Sequence, residues 1–510
     1  MLAKTRGFVI TGLDGREVDV EVDTNLGLPG FEIVGLPDAA VKESKERVRS
    51  AIKNSGRKFP IHKITVNLAP AELKKEGAGL DLPIAVGIIA ANGQLASADV
   101  KAAMIGELSL DGKIRGVNGI LPILISAREK GVREMIIPEE NSEEGSFIDG
   151  IIVRAAEDLK SVCDYLEGKS DLKIVEKKEY AQVYRTAEYD NDLKYVKGQF
   201  FARRALEVAV SGNHNIILEG PPGAGKTMLA KCIPSIMPDM SFREALETTK
   251  IHSVAGKMKD TEGIVYRRPF MSPHHTASRV SIIGGGQSAK PGVVSLAHNG
   301  VLFLDEMPEY QRHTLESLRQ PLEDKKVTVS RVQRTVDYPA NFMLVASMNP
   351  CPCGYFNDPS GKCTCTPQKI HNYLNKISGP LLDRFDIHIE VSAVKFDELR
   401  DKEQTEPSAE IKKRVDKARK IQSERYKGTS TSCNANINAE QFEKVCIIDD
   451  EAEQMLKSAF ESMGMTARAY DRVLKVARTI ADLDNSEIIK SDHILEAVQY
   501  RSLDRKYWGK

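Results

Sequence analysis

The chain has 510 residues, 41% hydrophobic and 28% charged, with Lys plus Arg and Asp plus Glu balanced at 72 each. At roughly 150 residues per domain that is about three globular domains, and the mixture excludes a fibrous, disordered or disulfide-stapled chain. A balanced charge gives no global field toward nucleic acid or anionic lipid, so any polyanion site is local.

Residues 1–168 alternate β-type runs, such as Ile64 to Leu68 and Met135 to Ile137, with helical stretches such as Ala39 to Ile52, an α+β or α/β pattern. Lys4 and Arg6 precede a short apolar run that Asp14, Arg16 and Glu17 end before any cleavage site. The longest apolar stretch, Leu82 to Ala91, is about half of what a bilayer span requires. A cytoplasmic protein without membrane contact is expected. Residues 169–192 are polar and lack periodicity, which predicts a linker. From 193 to 395, short apolar runs ending in Gly, Asp or Asn alternate with helical patterns, the mark of a layered parallel sheet. Residues 396–510 are dominated by helix formers, with Val473, Leu474, Ala477 and Ile480 at helical spacing.

The middle segment carries the chemistry. Gly220-Pro221-Pro222-Gly223-Ala224-Gly225-Lys226-Thr227 follows a predicted strand, Asn215 to Glu219, and opens a predicted helix at Met228. Glycines let backbone N–H groups curl around phosphates, Lys226 supplies a point charge to the β and γ oxygens of ATP, and the Thr227 hydroxyl suits Mg²⁺. A second strand, Gly300 to Glu306, is apolar until it ends in two carboxylates. Asp305 is expected to hold Mg²⁺, and Glu306 to orient or deprotonate the attacking water. A third apolar strand, Phe342 to Asn349, ends in an amide that can reach the γ-phosphate or that water. Arg384 lies between apolar anchors in Leu381 to Asp386; the residues alone leave open a finger for a neighbour's phosphate or a salt bridge to Asp383 or Asp386.

Four of the eight cysteines, Cys351, Cys353, Cys363 and Cys365, fall in one loop, 351–365. Four thiolates there can enclose Zn²⁺, and a cluster or free thiols are the alternatives. Cys163, Cys232, Cys433 and Cys446 are isolated and read as core; His274 and His275 read as loop or DNA-facing residues. Lys325 to Arg334 reads as a β-hairpin carrying Lys325, Lys326, Arg331 and Arg334; the residues alone favour a solvated charged hairpin, and in a ring the same cations would bind DNA phosphates without base preference.

Taken together, these strings resemble the AAA+ ATPases of the magnesium-chelatase and MCM branch, and over the whole chain the ComM (YifB) family of Mg-chelatase-like proteins. The resemblance is carried by Val196 to Gln199, Ser295 to Glu306, Ser347 to Gly354, Ser378 to Asp386 and Thr466 to Leu483. It implies an α/β fold: an AAA+ P-loop ATPase core at 193–395 with a helical lid at 396–510. In such proteins the arginine at Arg384 is a trans-acting finger, and Arg468 corresponds to a second sensor. Arg267 to Gly286 resembles the helix-2 insert of this branch, which together with the hairpin would face a ring's pore. Residues 1–168 resemble the Lon-peptidase-like α+β domain of this family and of the recombination protein RadA, through Lys74 to Val86 and Gly106 to Asn141. Where the peptidase has its nucleophile and lysine this chain has Gly79 and Leu121, which implies a scaffold or DNA-contacting module.

The function so implied is a hexameric, ATP-driven ring on single-stranded or branched DNA, a branch-migration helicase acting in recombination or in integration of incoming DNA in natural transformation. The alternative is a chelatase-type ATPase that remodels a metal-insertion partner protein. An ATP-dependent protease is disfavoured by Gly79 and Leu121.

Overall fold

The computed structural model describes residues 1–184, 189–258, 261–286, 289–331, 334–357, 361–393 and 405–501, with the backbone alone for residues 182, 184, 331 and 334. The chain divides into two compact units, Met1–Ala187 with Ser241–Tyr266, and Glu188–Met240 with Arg267–Lys510. Among the described residues no helix is long and apolar enough to cross a membrane.

In the first unit, strands β1 (Leu2–Thr11), β2 (Asp14–Asn25), β3 (Gly30–Val34), β4 (Lys63–Ala69), β5 (Asp99–Met104), β6 (Glu134–Pro138), β7 (Ile152–Ala156) and β8 (Lys173–Ile174) form one mixed sheet. Their order is β8-β7-β6-β5-β1-β2-β4-β3. Helices α1 (Ala39–Asn54) and α2 (Asp81–Ala91) share one core with Val18, Val20 and Val22 of β2. A second core gathers Phe8 of β1 with Ile120, Leu121 and Leu124 of α3 (Ile120–Glu129). The long apolar stretch forms α2, which is buried along its whole length, as expected of a helix apolar all round. It beds so closely on the sheet that a Cβ added at Gly87 would lie 2.7 Å from Val22. Gly79 carries no side chain and has Ile105 3.1 Å from where a Cβ would stand, and Leu121 is fully buried, so neither position offers a nucleophile or an ammonium.

Two boundaries differ from the sequence reading. The segment expected to be a linker, 169–192, contributes β8, paired antiparallel with β7, and the Val175 N–H donates to the Val153 carbonyl at 2.9 Å. Its charged composition is that of an edge strand, which two paired residues cannot distinguish from a connector by periodicity. Second, helix Phe242–Val254, expected within the ATPase segment, belongs to the first unit. Its Leu246 packs on the α3 core, and Ser253 donates to the buried Glu144 at 2.6 Å while accepting from the Gly119 N–H at 3.1 Å.

The second unit begins with α4 (Phe200–Gly212) and β9 (Ile216–Glu219), followed by α5 (Lys226–Ile236), β10 (Phe270–Met271), β11 (Val301–Leu304), a hairpin of β12 (Lys326–Arg331) and β13 (Arg334–Pro339), β14 (Met343–Met348) and β15 (Ile387–Glu390). The sheet order is β10-β11-β14-β9-β15, every pairing parallel. All residues of β9, β11 and β14 are buried, as expected of a sheet covered on both faces. Truncating Leu218, fully buried in β9, to Ala would cost about 2–5 kcal/mol. After β15 the described chain is helical, with α6 (Ser408–Arg425), α7 (Asp450–Met463), α8 (Ala467–Leu483) and α9 (Ser491–Gln499). Val473, Leu474, Ala477 and Ile480 of α8 join Val208 of α4 and Leu229 of α5 in the unit's core.

Candidate functional site

Parallel pairing places the C-terminal ends of β9, β11 and β14 side by side, and with them Gly220, Asp305 and Asn349. Between Glu219 and α5 the chain curls through Gly220 to Thr227. Gly223 and Gly225 have φ of +79° and +89°, which an L side chain adopts only under strain. At Gly220 a Cβ would stand 2.1 Å from the Val391 carbonyl oxygen, so proximity to the end of β15 also demands glycine there.

Lys226 is buried, and its Nζ donates to the carbonyls of Gly220 at 2.6 Å and Pro221 at 2.9 Å and to Asn349 Oδ1 at 3.0 Å. Burial pushes the ammonium's pKa down, against the opposing pull of Glu219, Asp305 and Glu306. An ammonium ringed by three oxygens fits a group that would supply phosphate oxygens in their place. Thr227 Oγ1 donates to Asp305 Oδ2 at 3.0 Å, which brings a hydroxyl and a carboxylate together as hard donors suited to Mg²⁺.

Ser347, which the sequence reading missed, ties the acidic pair to β14. Its hydroxyl donates to Asp305 Oδ1 and accepts from the Glu306 N–H at 3.0 Å. The signal was its position two residues before Asn349, on the strand beside β11. Glu306 is exposed and held in the left-handed region at φ 51°, ψ 50°, a backbone state that costs roughly 1–3 kcal/mol and that this hydrogen bond helps to maintain.

The cysteine loop follows directly. The Sγ atoms of Cys351, Cys353, Cys363 and Cys365 all lie within 4.8 Å of one another, with Cys351–Cys353 at 3.3 Å, Cys351–Cys363 at 3.8 Å and Cys353–Cys363 at 3.7 Å. Tetrahedral zinc with Zn–S bonds near 2.3 Å separates its sulfurs by about 3.8 Å, so the four thiols fit that ion. Backbone N–H groups of Tyr355 and Thr364, with the Cys351 thiol, hold the Cys353 thiol down to about 6. Gly354, at φ +84°, packs on the 220–227 loop: a Cβ there would lie 2.4 Å from Pro222 Cδ. Of the other cysteines, Cys163, Cys232 and Cys433 are buried and Cys446 half-buried.

Arg384 stands at the other end of the sheet. Asn215, just before β9, donates its Nδ2 to the Arg384 carbonyl at 2.8 Å and its backbone N–H to Asp386 Oδ2 at 3.2 Å. A parallel strand rises ~3.3 Å per residue, so Asn215 and Gly220 lie about 16 Å apart, farther than an arginine side chain extends. Neither of the expected local partners holds the guanidinium. Arg384 pairs with Glu323, while Asp383 lies 3.6 Å from Arg468, and Asp386 lies 3.8 Å from Arg472 and 3.4 Å from His214. Arg384 and Arg468 line one cavity of about 660 Å³, to which Lys226 does not contribute.

The basic hairpin needs one correction. Lys325 is not on it: at φ 54° Lys325 caps helix Arg319–Asp324, half-buried, and lines the cavity with Arg384. Helix extension to Asp324 moved the first strand residue on by one. Lys326 is exposed on β12 and pairs across the hairpin with Asp337 at 3.0 Å. Arg331 and Arg334 are directly opposed in the backbone register at its tip, and their side chains lie outside the described set. His274 and His275 sit in an irregular segment with rings 4.1 Å apart, and His274 Nδ1 is 2.8 Å from Thr276 Oγ1.

The chain matches three protein families: magnesium chelatase, subunit ChlI, over residues 192–399; subunit ChlI of Mg-chelatase over residues 20–141; and the C-terminal part of magnesium chelatase subunit ChlI over residues 405–501. It is 42% identical to the competence protein ComM of Haemophilus influenzae, covering 97% of this chain and 96% of that protein. It is 43% identical to the protein YifB of Escherichia coli K12, again over 97% and 96% of the two chains. Lon protease 2 of Bacillus subtilis is 31% identical over 124 residues, 24% of this chain and 22% of that protein.

Proposed function

The chain belongs to the ComM and YifB family of magnesium-chelatase-like proteins, and on that premise we propose that it is an ATP-hydrolysing ring motor that moves on DNA. The observation that carries the reading is the division of the site. Lys226, Thr227, Asp305, Glu306 and Asn349, which we read as the phosphate- and water-handling groups, lie at one end of the parallel sheet, and Arg384, which would complete them, is anchored at the other with Arg468 in the same cavity. One copy then binds ATP through Lys226 and the loop N–H groups, and the next copy's Arg384 and Arg468 meet the γ-phosphate, which demands an oligomer, a hexameric ring by the family's habit.

Thr227 and Asp305 would hold Mg²⁺, which neutralises charge on the β and γ oxygens when bound. Glu306, exposed and braced through Ser347, takes a proton from the attacking water or orients it, and Asn349 exchanges its bond to Lys226 for one to that water or to the phosphate. Cys351, Cys353, Cys363 and Cys365 would hold Zn²⁺ as a structural ion, locking the loop that bears on Pro222. Residues 1–168 serve as a Lon-like scaffold without peptidase chemistry, and the helices after 396 as the lid. Lys326, Arg331 and Arg334 on the hairpin contact DNA phosphates. The relative named a competence protein supplies the setting: integration of incoming DNA in the cytoplasm by branch migration.

ATPase rates of the pure protein, alone and with single-stranded DNA, a branched junction, or a tetrapyrrole with its chelatase partners, test the reading. Stimulation by DNA, strongest with the junction, is the expected result. Stimulation by the tetrapyrrole system alone would replace it with the partner-remodelling alternative.

A further inference from the structure

The cavity at the Arg384 end of the sheet contains five cations, Lys325, Arg384, Arg468, Arg472 and Lys475, and they are not equivalent. Arg472 is occupied by the Phe385 carbonyl at 3.1 Å and Asp386 at 3.8 Å. Lys475 donates to the Ile437 and Ala435 carbonyls at 2.9 and 3.4 Å, and Arg468 lies 3.6 Å from Asp383. Among the described residues Arg384 has Glu323 as its one carboxylate partner and its buried Nε has no hydrogen-bond partner. Lys325 has no hydrogen bond or ion pair from its side chain among the described residues, although burial there disfavours its charge. Asp386, in the same cavity, favours the charge from a distance but is engaged by His214 and Arg472, and a half-buried ammonium without a directly paired anion is costly unless something uses it. Glu323 is 56% exposed, so this carboxylate can swing into water and leave Arg384 and Lys325 to an incoming anion.

We propose that Lys325 is a second catalytic cation, lining the same cavity as Arg384, and that the cavity takes the terminal phosphate of a nucleoside triphosphate bound to a neighbouring copy of the chain. The proposal rests on the trans reading of Arg384 and adds a residue to it. The fold supplies the preorganisation: Lys325 is fixed by its backbone, the N–H donating to the Pro321 carbonyl at 3.0 Å and the carbonyl accepting from the Ala340 N–H at 2.8 Å. Arg384 is fixed by Asn215. A planar fork and a point charge together can spread over the three equatorial oxygens of a transferring phosphoryl group, and Glu323 serves as the displaceable counter-ion while no phosphate is there.

The full-length chain carrying Lys325→Asn tests this, because asparagine tolerates the left-handed backbone at this position. ATP binding is expected to be unchanged and kcat to fall about a hundredfold, with Lys325→Arg keeping most of the rate. Mixing Lys325→Asn with Lys226→Ala chains is expected to restore activity, since some interfaces then pair an intact phosphate loop with an intact Lys325. An Arg384→Ala and Lys226→Ala mixture is run beside it, with differently tagged chains to verify exchange. Rescue of the Arg384 mixture but not of the Lys325 mixture overturns the role of Lys325 and leaves the trans finger standing. Failure of both, with exchange verified, overturns the trans reading and the proposal together. Inhibition by inorganic phosphate that Lys325→Asn abolishes, without rescue on mixing, would mean a free anion site and would also overturn it.

Discussion

Substituting Gly354 by alanine tests whether the cysteine loop sets the phosphate loop. The new Cβ would stand 2.4 Å from Pro222 Cδ and 2.9 Å from Cγ, whereas carbon atoms settle at about 3.5–4.0 Å, so one loop must retreat by about 1 Å. A proline ring cannot swing aside, and Pro222 is four residues before Lys226, so the displacement falls on the cradle itself. Overpacking of this kind costs about 1–3 kcal/mol, which, if borne wholly by the cradle at 1.4 kcal/mol per tenfold, is roughly a 5- to 140-fold loss of ATP affinity. The left-handed backbone at Gly354 adds its own penalty, and Gly361→Ala isolates it: Gly361 has φ +63° in the same loop with nothing within 4 Å of its Cβ position. Calorimetric titration of ATP into both variants, with metal content measured on the same samples, is the assay. Parental affinity in Gly354→Ala, or equal losses in the two variants, would refute the contact as the cause.

Lys226→Ala should lose nucleotide binding, whereas Glu306→Gln should bind ATP normally and turn over at least a hundredfold more slowly; equilibrium binding beside steady-state hydrolysis separates the two. Protein prepared without chelator should carry about one zinc per chain, and the Cys351→Ser, Cys363→Ser double variant none, by elemental analysis; equal zinc in both would remove the loop as the site. In the first unit, Arg57 clamps Glu167 with bonds of 2.8 and 2.7 Å and, with Lys169, holds its carboxyl down to about 2 from the ordinary 4.5. The folded state therefore binds fewer protons than the unfolded one between those values, so this stabilisation is complete above 4.5 and lost as pH falls toward 2. Thermal melts from pH 7 to pH 2 should show a shallower acid loss in Glu167→Gln, and identical pH profiles would refute the assignment.

That the 220–227 loop, Asp305 and Asn349 come together was legible because each follows the end of an apolar run, and parallel strands bring such ends side by side. The fold of the first unit was legible in the same way at Lys63–Ala69 and Glu134–Pro138, where alternation or a short apolar run was strong. Helix Phe242–Val254 was not, because its amphipathic face does not say which core will accept it. Lys325 was misplaced for a related reason: the change from helix to strand occurs within one residue, and only a positive φ, invisible in composition, turns it from the hairpin into the cavity. Ser347 gave little signal because a serine in a buried strand reads as filler until the neighbouring strand supplies Asp305. The partner of Arg384 could not be found from local charges, since Glu323 is remote in sequence and the nearer Asp383 and Asp386 are engaged elsewhere.

Asn215 joins the Arg384 turn to the strand that ends in the phosphate loop, and this fixes a length. β9 is four buried residues bonded on both sides, by β14 and by β15, so it can neither stretch nor be lengthened by one residue without turning its side chains to the wrong face. It acts as a ruler between the turn that carries Arg384 and the 220–227 loop. On the proposed trans arrangement, side-chain changes at either end would alter chemistry but leave unchanged the distance, within one chain, from the offered arginine's anchor to the chain's own loop.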